Sequence, residues 1–199
     1  MRKISDLQAL HALYGKPVPL ALDKVVPRLT PQYRAWIEGS RFCVLATVGD
    51  KGVHATPRGD DGPVVVVEDD ATLLMPDWRG NNRLDALRDI VLDGRVALLF
   101  MVPGSKTTVR VNANAWLTDD AALRDRFENG KGKPATVLVF DILEIYTQCA
   151  KAFLRSGLWL RDDADTVPTA GEIMADLARE PLSPTYDKDY DERAKSRMW

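Results

Sequence analysis

Residues 76–87 read Pro-Asp-Trp-Arg-Gly-Asn-Asn-Arg-Leu-Asp-Ala-Leu and bring together Arg79, Asn81, Asn82 and Arg83. The stretch follows an apolar run at 72–75 and leads into Leu84, Leu87, Ile90 and Val91 at helical spacing. A helix start offers unpaired backbone N–H groups and the positive end of the helix dipole. Two guanidinium groups added there make a cradle suited to a phosphate. The plainer alternative is an ordinary capped and solvated helix start.

Three further groups of polar residues invite the same question. Arg58 stands directly after a strand pattern, in Thr56-Pro57-Arg58-Gly59-Asp60; a solvated Arg–Asp turn is its alternative. Thr108, Arg110 and Asn112 share one face of an alternating stretch, which suits ligand contact or a solvent-facing sheet. Lys151, Arg155, Ser156 and Trp159 close the ordered part of the chain, as ligand contacts or as helix C-terminal decoration.

Several chemistries lack their residues. No GxxxxGK[ST] occurs, and no G-x-G-x-x-G follows a strand. The histidines are His11 and His54 alone. His11 belongs to an amphipathic helix and reads as a surface residue. A histidine-based triad would have to use His54, and no G-x-S-x-G elbow accompanies it. A histidine metal site is equally short of ligands, so no metal is expected. Cys43 and Cys149 match no metal spacing and lie in apolar contexts, so both read as reduced core residues. A net charge of -2 disfavours nucleic acid or an anionic membrane as partner, while allowing a local basic pocket. The N-terminus has no long apolar segment, and the longest apolar run, 96–102, falls far short of the roughly 20 residues of a membrane span. A cytoplasmic protein is expected.

The 199 residues suit one domain with extensions. Ser5 or Asp6 caps a short helix carrying Leu7, Leu10 and Leu13; a proline-bearing connector spans 17–27; Thr30-Pro31 opens a helix over about 31–39. Both helices are expected on the outside of the main body, as an extension over about 1–40. Strands are predicted at 42–48, 53–57, 64–67, 72–75, 96–102, 107–117 and 135–146, with the first two joined by a Gly49-Asp50-Lys51-Gly52 hairpin turn. Helices are predicted after Arg79, over about 120–129 with Asp119 as cap, from about Thr147, and over 170–179; residues 130–133 read as a loop and 187–199 as a charged surface tail. Six or seven hairpin-linked strands with an inserted helix favour a mainly β, α+β fold: a small antiparallel barrel decorated with helices.

The order of these pieces resembles the FMN-binding split-barrel family related to pyridoxamine 5'-phosphate oxidase, over roughly residues 30–160. The matching stretches are Phe42-Cys43-Val44-Leu45-Ala46-Thr47, Thr56-Pro57-Arg58-Gly59-Asp60, residues 76–85, residues 99–104, Thr107-Thr108-Val109-Arg110-Val111-Asn112 and residues 151–159. The resemblance implies a homodimer with FMN between two barrels and a small-molecule substrate. It assigns the phosphate to Arg58, Arg79, Asn82 and Arg83. Thr108, Arg110 and Asn112 would lie near the isoalloxazine or ribityl part, or across the dimer interface. Lys151, Arg155 and Trp159 would approach the flavin from the partner chain. An arginine at the flavin N1–C2=O edge, Arg110 or Arg58, would stabilise negative charge there. The oxidase's R-x-V-L-L-K strand and S-R-K helix entry do not occur in that form, and no histidine follows His54. The resemblance therefore implies flavin-dependent oxidoreduction rather than vitamin B6 oxidation. Its alternative is a non-catalytic flavin, haem or F420 carrier or sensor, with His54 the one histidine placed for haem.

Overall fold

The structure, a computed structural model, describes residues 1–130, 132–177 and 182–198. Positions 178–179 of the helix expected over 170–179, Lys131 of the expected loop and the terminal Trp199 lie outside them. The strands are β1 (Phe42–Gly49), β2 (Gly52–Gly59), β3 (Val66–Val67), β4 (Thr72–Asp77), β5 (Arg95–Met101), β6 (Thr108–Thr118) and β7 (Thr136–Gln148). They form one seven-stranded sheet in the order β2-β1-β5-β6-β7-β4-β3, every pairing antiparallel. The helices are α1 (Leu7–His11), α2 (Pro19–Asp23), α3 (Pro31–Glu38), α4 (Asp85–Leu92), α5 (Ala121–Asp125), α6 (Lys151–Ser156), α7 (Ala170–Leu177) and α8 (Tyr190–Lys195). This is the expected split barrel with helices around it.

Alternation decides what fills the barrel. Along β1, Cys43, Leu45 and Thr47 are buried while Phe42, Val44 and Ala46 are half-buried. β5 repeats this with Val96, Leu98 and Phe100 inside and Ala97, Leu99 and Met101 outside. Val109 and Val111 of β6 and Leu138 and Phe140 of β7 complete the inner layer. Phe100 and Phe140 are fully buried, each contributing about 1.5–3 kcal/mol by leaving water. The β6–β7 register shifts between Asn112 and Ala113, a bulge that bends the longest hairpin.

The helices are placed by what they bury. α3 is capped by Thr30 Oγ1, which accepts from Tyr33 N at 3.3 Å, and it buries Ile37 in the core. α4 seats Ala86, Asp89 and Ile90. α1 and α2 bury nothing, and their Leu7, Leu10, Leu20 and Leu22 are exposed, as is Leu13 after α1.

Six expectations change. Asp120 rather than Asp119 caps α5, which ends at Asp125. The helix expected from about Thr147 begins at Lys151, because β7 runs on through Gln148. The connector over 17–27 contains α2, because Pro19 at the first helical position is pre-set for a helix. Only Val66 and Val67 of the 64–67 run pair as a strand, although Val64 and Val65 are buried. Cys149 is exposed, since it follows β7 in a turn; Cys43 alone is a core thiol. The segment 187–199, expected as a tail, contains α8.

Candidate functional site

β1 and β2 carry their chain ends to one rim of the barrel. There Arg41, Phe42 and residues 57–61 meet Met75 and Pro76 of β4, the loop at 78–81, and the C-terminal segment. Together they enclose a cleft of about 1160 Å³. Five arginines line it, Arg41, Arg58, Arg79, Arg193 and Arg197, against two aspartates, Asp60 and Asp61. Arg41, Arg79 and Arg197 have no acidic partner among the described residues. The cleft is therefore cationic by charge count.

Arg58 is its most constrained member. Nη1 donates to Asp77 Oδ1 at 2.9 Å, joining β2 to β4 where the sheet does not close, and the two side chains are 22% and 14% exposed. Its Nε is buried with no hydrogen-bond partner. A buried N–H left unpaired costs about 1–3 kcal/mol, so this donor is poised for an acceptor. Arg58 lies opposite Cys43 in the β1–β2 register. Burial pushes the Cys43 thiol up to about 12, and the Arg58 charge offsets only part of it. Cys43 is thus a packing residue, not a nucleophile.

Asp60 fixes the loop opposite. Its Oδ2 accepts from Trp78 Nε1 at 2.7 Å and its Oδ1 from Asp61 N at 2.7 Å. The Trp78 indole is held at the mouth of the cleft beside Arg79.

The structure brings Arg58 and Arg79 together and places the other predicted residues elsewhere. α4 begins at Asp85, after Asn82 and Leu84 have both turned through left-handed backbone at φ 58° and 60°. Arg79 is consequently a loop residue, and the helix N-terminus is not the floor of the cleft. Asn82 and Arg83 are exposed and do not line it. Arg83 Nε donates to Asp85 Oδ2 at 2.5 Å. Thr108, Arg110 and Asn112 face outward from β6. Thr108 is 4% exposed, Arg110 donates to Tyr146 Oη at 3.2 Å and lies 5.8 Å from its ring centroid, and Asn112 donates to Glu144 Oε1 at 2.6 Å. Lys151 and Arg155 are exposed on α6. Trp159 donates to Ser105 O at 2.6 Å and stacks on Phe153 at 5.7 Å. None of these six lines the cleft of this single chain.

Sequence reasoning missed two features. One is the C-terminal lining, whose signal was Tyr190, Arg193, Ala194 and Arg197 at i, i+3, i+4 and i+7. The other is a buried acid. Asp89 Oδ2 accepts from Thr47 Oγ1 at 2.6 Å and from His54 Nδ1 at 2.6 Å. The Thr47 hydrogen bond holds the carboxyl below the usual range, burial opposes it, and His54 adds to the lowering. An ionised carboxylate only accepts, so His54 Nδ1 is the donor in this contact. The signal was an aspartate on the same helical face as Ala86 and Ile90.

Among the described residues no three His, Cys, Asp or Glu side chains gather as metal ligands, and no helix is long and apolar enough to cross a membrane. No curated protein matches the chain in sequence. Among solved structures, HupZ of Group A Streptococcus is 17% identical, covering 61% of this chain and 94% of that one, with a TM-score of 0.50. An FMN-binding protein from Syntrophomonas wolfei subsp. wolfei is 18% identical over 57% and 82%, TM-score 0.44. The FAD binding protein from Mycobacterium smegmatis is 17% identical over 62% and 97%, TM-score 0.43. The profile of pyridoxamine 5'-phosphate oxidase matches residues 29–149, which run from Leu29, ahead of α3, through the end of β7 and include the barrel side of the arginine cleft. The chain belongs to the pyridoxamine 5'-phosphate oxidase family.

Proposed function

We propose that this protein binds FMN in the arginine cleft, as a homodimer, and acts as a flavin-dependent oxidoreductase on a small molecule. The observation that carries the reading is the buried, unpartnered Nε of Arg58 at the rim of a cation-rich cleft. A phosphate oxygen supplies the acceptor that this N–H lacks, and a dianion suits Arg58, Arg79 and Arg41 together. Val64, Met75, Pro76 and Phe42 give the same cleft an apolar lining for the rest of the cofactor.

The bound flavin supplies the redox chemistry. The chain's own part is to bind, orient and exclude water. Arg58 is held by Asp77 and Trp78 by Asp60, so both walls are set before the ligand arrives. The dimer reading rests on the outward face of the sheet. Val44, Ala46, Ala97, Leu99 and Met101 form a half-buried apolar surface beside Arg110, Asn112, Asn114 and Trp116. A second copy seated there would cover it and bring Thr108, Arg110 and Asn112 against the facing chain. Lys151, Arg155 and Trp159 would reach the flavin of that chain.

Absorbance of the purified protein, followed by mass spectrometry of the small molecule released on heating, tests this. Flavin bands and released FMN are expected. Colourless protein that takes up neither FMN nor FAD would overturn the reading; released F420 or haem would assign the non-catalytic alternatives to it.

A further inference from the structure

The cleft has a second wall that the barrel does not provide. Tyr186, Tyr190, Arg193, Ala194, Arg197 and Met198 line it from the C-terminal segment. Residues 190, 193, 194 and 197 form one stripe of α8 and the turn that continues it, where Arg197 N donates to Ala194 O at 2.8 Å. Asp191, Glu192 and Lys195 fall off that stripe, and Lys195 pairs with Glu192 at 2.5 Å. The helix thus turns Tyr190, Arg193 and Ala194 to the cleft and keeps its acidic residues off it.

This wall is anchored. Asp187 accepts from Thr169 Oγ1 at 2.7 Å and from Gly171 N at 2.8 Å. Gly171 is buried, and a Cβ there would run into the Asp187 carboxylate. One residue before the anchor, Tyr186 O accepts from Arg193 Nη2 at 2.7 Å, and the Arg193 guanidinium lies 4.7 Å from the Tyr186 ring centroid. Arg193 is therefore oriented, with donors left over.

We infer that Arg193 and Arg197 form a second anion subsite, opposite Arg58 and Arg79, which takes a second anionic group beside the flavin phosphate. The inference rests on the flavin reading for the identity of the first anion. The second group is either the further phosphate of a dinucleotide flavin or the phosphate or carboxylate of a substrate bound next to FMN.

The test is calorimetry on the full chain and on Arg193→Gln/Arg197→Gln, with thermal melts to show that both fold. FMN and FAD are titrated into ligand-free protein and inorganic phosphate into FMN-loaded protein. FMN affinity is expected to change less than about threefold, while FAD or phosphate affinity falls at least tenfold; charge-assisted contacts are the strong ones. A loss confined to FAD identifies the dinucleotide, and a loss confined to phosphate identifies a substrate group. Arg193→Lys/Arg197→Lys is expected to recover part of the loss. Unchanged affinities in the double variant, or no binding of either probe by the unaltered chain, overturn the subsite and leave the flavin reading standing. If the unaltered chain binds no flavin, that reading fails instead. Pyrophosphate titrated into the flavin-free protein then decides the subsite by the same tenfold criterion.

Discussion

Arg58 Nη1 donates to Asp77 Oδ1 at 2.9 Å and so links β2 to β4, two strands that do not pair with each other. The ion pair closes the barrel rim and aims the guanidinium at the cleft, with Nε still unsatisfied. Arg58→Ala is expected to weaken FMN binding by about 1.5–3 kcal/mol, the range for hydrogen bonds to charged groups. Arg83→Ala, which removes an exposed side chain already paired with Asp85, is expected to cost less than about 0.5 kcal/mol. Isothermal titration of FMN into both variants checks the order. Equal losses would mean that the cleft does not hold the phosphate.

The buried Asp89 makes stability depend on acid. Its carboxyl is held low chiefly by the Thr47 hydroxyl, so its contribution is complete above the unfolded-state value of about 3.9 and is lost as pH falls through the lower folded value. Thr47→Val removes that donor and is expected to destabilise the fold by about 1–3 kcal/mol at neutral pH. The difference from the unaltered chain should shrink below about pH 4, as pH falls toward the lower folded value and the carboxyl becomes protonated in the folded state too. Urea unfolding at neutral pH and at about pH 3 reads this out. A pH-independent difference would put the effect in packing alone.

The outward face of β1 and β5 makes a prediction about assembly. Leu99→Asp places a charge in the middle of the half-buried apolar surface formed with Val44 and Met101. Light scattering behind gel filtration is expected to show a dimer for the unaltered chain and a monomer for the variant, with weaker FMN binding in the latter. Monomers in both cases would remove the dimer from the account.

Gly171 predicts a local effect. Gly171→Ala forces the Asp187 carboxylate aside and should release α8 from its anchor while leaving the barrel's melting temperature within a few degrees. Limited proteolysis is expected to cut within 182–198 much faster in the variant. Unchanged cleavage would show that the segment is held by something other than Asp187.

The barrel was readable because the alternation at 107–117 and 135–146 and the short apolar runs at 42–48 and 96–102 are local patterns that packing reinforces. Arg58 and Arg79 were also readable, each marked by its place at the end of a strand pattern. Their grouping with Arg193 and Arg197 was not, because no local rule links position 58 to position 197. The helix start lies further along the chain than Arg79 and Arg83 for a local reason. Asn82 and Leu84 adopt left-handed backbone, which delays the helix to Asp85 and leaves Arg79 in a loop. Cys149 looked like a core residue from its apolar neighbours, yet it sits just past the last paired residue of β7. Asp89 was hidden because a single aspartate in an amphipathic pattern gives no hint of partners 35 and 42 positions away.

The central claim is that the cleft recognises the phosphate of a flavin. Comparing FMN with riboflavin, which lacks only that phosphate, tests it most directly, by titration into the unaltered chain and into Arg58→Ala. FMN is expected to bind at least about tenfold tighter than riboflavin to the unaltered chain, since one charge-assisted contact is worth about 1.5–3 kcal/mol, and that advantage should collapse in the variant. Equal affinity for the two flavins, or an advantage that survives Arg58→Ala undiminished, would contradict it.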